Sequence, residues 1–283
     1  IELAAALRTP TDAIRLRRRI GAATSLSIVG GGATGVQLAG AAAVTRPELD
    51  VRIIDREPRL LSSLGQAMSD GTARILDRRG VELHLESELA EITPDGLTLS
   101  SGRSFDGLVV WAGGFESIVD ELGADLPTEQ GRLLVDEDLR IAGWSSTFAA
   151  GDVAIHRDRS GSDLPMAAQI AVQAGTAAGR NAARMVSGRP TKPAALSHRG
   201  WVIDLGGRRG VAQIGPVPLA ADGLDRLPPI LHHVIDLKHL FEVGGAGALR
   251  FAPGRHRPSR TTIDRLASTG LLSTTSTPVG AGR

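Results

Sequence analysis

Between Thr24 and Asp55 the chain reads TSLSIVGGGATGVQLAGAAAVTRPELDVRIID, and this stretch constrains the fold more than any other. Glycines at 30, 32 and 35 keep the G-x-G-x-x-G spacing. Ser27 to Val29 lead into the turn as a strand, and the run from Ala39 to Ala43 follows as a slim helix. Val51 to Ile54 then alternates as a second strand that ends at Asp55. A strand, a tight glycine turn, a helix and a strand closed by an acid form a dinucleotide-binding pattern. Gly30 allows the turn, and Gly32 lets the backbone approach a pyrophosphate. Gly35 permits close helix–strand contact, while the free amides of the helix start, at Ala33 and Thr34, face negative charge. Asp55 is placed to accept hydrogen bonds from ribose hydroxyls, and its charge would repel a 2′-phosphate. That favours NAD over NADP, a preference that the neighbouring Arg56 softens.

The chain has 283 residues, enough for two moderate domains or one large one. Its 32 basic and 31 acidic side chains leave a net charge of +1, and aromatic residues make up 3%. Neither value argues for nucleic acid, which needs a basic face or stacking platforms. No stretch reaches the roughly 18 consecutive apolar residues of a membrane span, and no signal peptide is read at the start. With no cysteine, the polypeptide offers no redox dithiol, no thiolate metal ligand and no cysteine nucleophile. That composition fits a reducing compartment.

Residues 1–23 read as a linker and a helix, with Thr9 as cap and Pro10 in the first turn. Arg15, Arg17, Arg18 and Arg19 on it read as a solvated face. Residues 24–112 form the NAD-binding domain, with further strands at 81–85 and 108–112 and a break at Gly113-Gly114. Residues 113–186 carry expected strands at 133–135 and 146–150, the second ending in Gly151-Asp152. Such an ending can set a carboxylate at a sheet edge beside a polyhydroxylated ligand. A long helix follows, with Pro165 near its first turn. Gln169 and Gln173 are four apart and share a face; they border a flat ligand or are ordinary surface.

Residues 187–283 read as a smaller α+β region. It has a hairpin around Gly206-Gly207, Arg208 and Arg209 at its tip, and an amphipathic helix over 230–241. The apolar stripe of that helix, including Ile230, Val234, Leu237 and Phe241, is either core packing or a membrane or partner surface. His232 and His233 are adjacent and point apart, so no metal site is expected. A poorly ordered tail is expected from 254.

Taken together, IVGGGATGVQLAG at 28–40, VVWAGG at 109–114, TFAAGDVA at 147–154 and PMAAQIAVQAGTAAGRNAA at 165–183 resemble the flavin-dependent type II NADH dehydrogenases. These belong to the broader two-dinucleotide-binding-domain flavoproteins. The resemblance implies an α/β fold in which a Rossmann-like NAD-binding domain is inserted in an FAD-binding domain, here partial. It implies NAD at Gly30, Gly32, Gly35 and Asp55, with Ala33, Thr34, Gln37 and Gly113 around it. It implies FAD near Gly151, Asp152, Ala168 and Gln169, with Asp152 on the ribityl chain. Gln169 and Gln173 would line the approach of a quinone. The C-terminal helices would rest on the inner face of the cell membrane, the protein being otherwise cytoplasmic and a candidate homodimer.

Two departures stand out. Gln37 stands where the family usually has glutamate, and Ile1 falls where a first FAD-binding half would be ending. The expected activity is hydride transfer from NADH to FAD and then electron transfer to a quinone. Two alternatives stay open: a soluble NAD(P)H-dependent flavin reductase with another acceptor, and a non-catalytic nucleotide-binding module.

Overall fold

A computed structural model describes residues 4–7, 9–114, 119 and 125–248. The chain forms two compact units, one from the described parts of 1–114 and 200–283, the other from those of 115–199. The first unit opens with α1 (Pro10–Ala22), β1 (Ser25–Val29), α2 (Ala33–Thr45), β2 (Asp50–Ile54) and α3 (Gln66–Asp77). It continues with β3 (Glu82–His84), β4 (Leu89–Thr93), β5 (Gly96–Leu99), β6 (Ser104–Asp106) and β7 (Leu108–Trp111). The second unit holds β8 (Thr128–Glu129), β9 (Arg132–Leu134), β10 (Ala154–Ile155) and α4 (Ala168–Val186). The chain then re-enters the first unit with β11 (Gly200–Asp204), β12 (Gly210–Ile214), β13 (Val217–Leu219) and α5 (Leu227–Ala248).

The α1 helix starts where its capping chemistry dictates. Thr9 Oγ1 accepts the Asp12 amide at 3.1 Å, the Asp12 carboxylate accepts the Thr9 amide at 2.9 Å, and Pro10 fills the first helical position. The central sheet is parallel, in the order β3-β2-β1-β7, with Ile28 level with Ile53 on one side and Val110 on the other. Leu26, Ile28, Ile53 and Val110 are fully buried, as strands covered on both faces require. Val36 and Ala39 of α2 and Met68 and Leu76 of α3 share that core. A second cluster joins Val29, Ile54 and Val109 of the sheet to Leu97, Leu99 and Phe105 of the antiparallel β4-β5-β6 meander. Each large side chain buried this way is worth about 1.5–3 kcal/mol.

The C-terminal elements pack on this same unit. Ile203, Leu205 and Val211 of the β11-β12 hairpin and its turn enter the core shared with α2 and α3. Glycines on both helices admit them. A Cβ at Gly40 would lie 2.2 Å from the Leu205 carbonyl oxygen, and one at Gly71 would lie 2.6 Å from that of Ala220. Arg79 fastens the joint, donating to the carbonyls of Gly206 at 2.8 Å, Gly40 at 3.3 Å and Leu205. The first compact unit resumes at Gly200, and close approach at Gly40 and Gly71 admits the hairpin to its core.

At the hairpin tip, Gly206, Gly207 and Arg208 all take positive φ. Arg209, expected beside Arg208 at the tip, lies in the turn between β11 and β12 and pairs from there with the buried Asp225. The α5 helix packs on β11 and β12 yet leaves Ile230 61% and Val234 55% exposed. Among the described residues no helix is long and apolar enough to cross a membrane. The tail expected from 254 lies outside the described residues.

In the second unit β8, β9 and β10 form a small sheet. The α4 helix buries Ile170, Ala174 and Ala178 against Leu139, Leu164 and Leu196. The strand expected at 146–150 reduces to a single bridge between Arg140 and Phe148, since residues 139–141 supply too short a partner. The helix also starts later than Pro165 implies. Ala167 is extended at φ −149° and ψ 142°, and helical geometry begins at Ala168.

Candidate functional site

The glycine loop is built by main-chain contacts. Gly30 donates to the Ile54 carbonyl at 2.8 Å and takes φ +117°, a region that favours glycine. A Cβ there would lie 2.5 Å from the Ala112 carbonyl and 2.7 Å from the Gly113 nitrogen. The end of β7 and the loop thus meet, which brings Gly113 to the motif. A Cβ on Gly35 would sit 1.9 Å from the Gly30 carbonyl oxygen, so only glycine lets α2 lie this close to the turn.

Gly32 is the opposite case. It is exposed, and a Cβ on it would meet nothing within 4 Å. It caps α2 without a side-chain hydrogen bond, and the first turn holds no acidic residue. The first intrahelical bond runs from Val36 to Gly32 at 3.0 Å, which leaves the amides of Ala33, Thr34 and Gly35 at the positive end of the helix with no side-chain acceptor. Open space before uncapped amides is a cradle of the right chemistry for a pyrophosphate.

Asp55 stands beside that cradle. One carboxylate oxygen accepts from the Gly31 amide and the other from the Glu57 amide at 3.0 Å. Each oxygen keeps a second lone pair for a hydroxyl donor. Gly31 was not singled out from the sequence, although three consecutive glycines were the available signal. Its carbonyl accepts from Leu61 at 2.9 Å, and a Cβ on it would lie 2.7 Å from Asp55 Oδ2 and 2.8 Å from Leu60 Cδ2. Gln37 is half-buried one turn into α2, and the Arg56 side chain is 84% exposed.

The second unit presents a different set. Gly151 turns at φ +85°, its carbonyl accepts from Ala154 at 3.1 Å, and a Cβ on it would lie 3.8 Å from that of Ala171. The turn therefore abuts the first turns of α4. Asp152 is exposed, and α4 begins at Ala168 and Gln169 with no side-chain cap. An exposed carboxylate and uncapped helix amides suit a ligand with both hydroxyl donors and carbonyl acceptors, as FAD has.

The two glutamines are engaged elsewhere. Gln169 Oε1 accepts from the Arg199 amide at 3.0 Å. Gln173 donates to the Ser197 carbonyl at 3.0 Å and to the Gln169 carbonyl at 2.8 Å, and accepts from the Ser197 amide at 3.2 Å. The structure brings them together as ties between α4 and residues 197–199. Nearby, His156 was not singled out from the sequence. It is only 4% exposed, and its Nε2 lies 3.1 Å from both the nitrogen and the carbonyl oxygen of Gly151. Burial, with a smaller contribution from Arg132, pushes its imidazole below the usual histidine range. A groove of about 470 Å³ runs further along α4, lined by Gln173, Arg180, Arg184, Lys192 and Leu196 among others. In it Arg184 Nε donates to the Pro190 carbonyl at 2.6 Å, and Asn181 Nδ2 donates to the carbonyls of Asp138 at 2.9 Å and Lys192 at 2.8 Å.

Residues 2–175 match the profile of the pyridine nucleotide-disulphide oxidoreductases. The chain belongs to that family. Members of this oxidoreductase family use FAD and NAD(H). Within it, the chain is 26% identical over 252 residues to a Type II NADH:quinone oxidoreductase of Staphylococcus aureus, covering 82% of this chain and 60% of that protein. The chain thus spans about 60% of the length of these relatives.

Among solved structures of this fold, a ferredoxin reductase of Rhodopseudomonas palustris superposes with a TM-score of 0.64 at 23% identity. That match covers 74% of this chain and 52% of the other. A water-forming NADH oxidase of Lactobacillus brevis, bound to NADH, gives 0.63 at 22% identity, over 75% and 47%. The disulphide chemistry in the family's name has no counterpart in these 283 residues, which include no cysteine.

Proposed function

We propose that this chain carries the NADH site and part of the flavin site of an NADH:acceptor oxidoreductase whose acceptor is a quinone. The observation that carries this reading is the cradle at Gly32, open space in front of uncapped amides with the Asp55 carboxylate beside it. The α2 amides bind the pyrophosphate, and Asp55 accepts the ribose hydroxyls and disfavours a 2′-phosphate. In the other unit, Asp152 accepts ribityl hydroxyls, and the start of α4 at Ala168 and Gln169 borders the flavin's carbonyl edge. Gln169 and Gln173 hold residues 197–199 on α4 and so shape the approach of the acceptor rather than moving a proton. When bound, the flavin accepts a hydride from NADH and returns electrons to the acceptor. The chain's own part is binding and orientation.

Support for a quinone comes from the name of the Staphylococcus aureus relative and from the missing cysteine pair. The exposed Ile230, Val234 and Ile235 of α5 support docking of the protein on a membrane surface, where a quinone is dissolved. The test is to load the 283-residue chain with FAD and follow its absorbance under anaerobic conditions. NADH should bleach the flavin band, and a soluble quinone should restore it. Uptake of FAD with no bleaching by NADH would refute the oxidoreductase reading.

A further inference from the structure

We propose that His156 is a positioning residue for flavin binding, holding the Gly151-Asp152 turn so that the Asp152 carboxylate meets the ribityl hydroxyls. The inference rests on the flavin reading of the second unit. The chain leaves Gly151 through the turn, pairs Ala154 and Ile155 of β10 with Leu133 and Leu134 of β9, and reaches His156 directly afterwards. Ala154 and Ile155 are each 1% exposed, so β10 is an anchored base. The His156 carbonyl accepts from Leu164 at 2.7 Å, and the Val153 carbonyl from Leu133 at 2.8 Å. From this base the imidazole returns to Gly151, with Nε2 at 3.1 Å from both its nitrogen and its oxygen.

Nothing else in the arrangement calls for a histidine. Its Nδ1 is buried and has no hydrogen-bond partner among the described residues, a cost that an apolar side chain of similar size would avoid. What the ring supplies is a single nitrogen that serves Gly151 in either neutral tautomer. As acceptor it takes the amide proton, and as donor it gives to the carbonyl. Gly151 sits at φ +85° and Asp152 is exposed on its far side in sequence. Fixing one peptide unit of so short a turn fixes the direction in which the next residue leaves it. Burial is the largest influence against a charged ring and Arg132 on β9 adds to it, while the hydrogen bond to Gly151 and the charge of Asp152 favour one. A doubly protonated ring can no longer accept from the Gly151 amide.

The experiment measures FAD affinity by flavin fluorescence in the full 283-residue chain. It compares His156→Leu, His156→Gln, Asp152→Ala and the Asp152→Ala/His156→Leu double variant, with NADH affinity as a control on the other unit. His156→Leu should weaken FAD at least tenfold while NADH binding stays unchanged. His156→Gln, whose amide both donates and accepts, should recover most of the loss. In the Asp152→Ala background, His156→Leu should cost little more, because the histidine acts through Asp152. Equal FAD affinity in wild type and His156→Leu overturns the inference, as does full additivity in the double variant. A wild-type chain that takes up no FAD instead removes the flavin reading on which the inference stands.

Discussion

The loop at Gly30–Gly35 and the turn at Gly151-Asp152 offer similar groups, uncapped helix amides and a nearby carboxylate, but they are held differently. In the loop the supports are main-chain contacts and one side chain, the Asp55 carboxylate. Gly30 bonds to Ile54, Gly35 presses on the Gly30 carbonyl, and Asp55 takes the Gly31 amide. The turn adds to one main-chain bond, from Ala154 to the Gly151 carbonyl, a buried side chain, His156, reaching back over five residues. A loop held mainly by backbone is broken most directly where a side chain is added to a glycine. A turn held by an imidazole can be loosened by one substitution. The first design suits an anchor for a tightly defined pyrophosphate. The second makes affinity for its ligand adjustable without disturbing the surrounding fold.

The sharpest break in the comparison comes from Gly35→Val. Its Cβ would fall 1.9 Å from the Gly30 carbonyl oxygen, so α2 must part from the turn. We expect a loss of about 3 kcal/mol or more in denaturant unfolding, with NADH binding abolished. Arg79→Ala asks whether the first unit also leans on a side chain. Removing charge-assisted bonds to the carbonyls of Gly206, Gly40 and Leu205 should cost about 2 kcal/mol, again read by unfolding, without changing FAD affinity.

A smaller effect is expected at Asp55. Asp55→Asn keeps an acceptor for the Gly31 amide but removes the charge, so the preference for NADH over NADPH should fall by about tenfold, ~1.4 kcal/mol. Competition titrations measure it.

The smallest effect is a pH dependence confined to the second unit. The His156 imidazole is held below its ordinary value of 6.5, so just under that pH the unfolded chain binds more protons than the folded one. Stability then rises with pH through the window and is fully present above it. Acidification below about pH 6.5 should lower the melting temperature of wild type more than that of His156→Gln.

The sequence made the first unit readable because its constraints are local. Glycine spacing, alternation at Val51–Ile54 and the Thr9-Pro10 cap each act within a few residues, and each appears in the structure. The course of the second unit was less legible. Residues 146–150 read as a strand but among the described residues make only one bridge, and ladder partners are not written in local pattern. The placement of the hairpin was likewise hidden, since it depends on missing side chains at Gly40 and Gly71, far away in sequence. Gln169 and Gln173 do share a face, as their spacing implied, but that face is spent on residues 197–199. Single residues such as His156 carry no pattern at all, and only the fold brings its ring to Gly151.

The measurement that bears most directly on the account is calorimetric titration of NADH into the 283-residue chain, beside Gly32→Ala. A Cβ on Gly32 meets no protein atom within 4 Å, so the variant should keep its unfolding free energy to within about 0.5 kcal/mol. The account predicts one saturable NADH site in wild type, weakened at least tenfold in the variant, because the added methyl occupies the space meant for the pyrophosphate. Equal affinity in the two proteins, or no saturable binding in wild type, would contradict it.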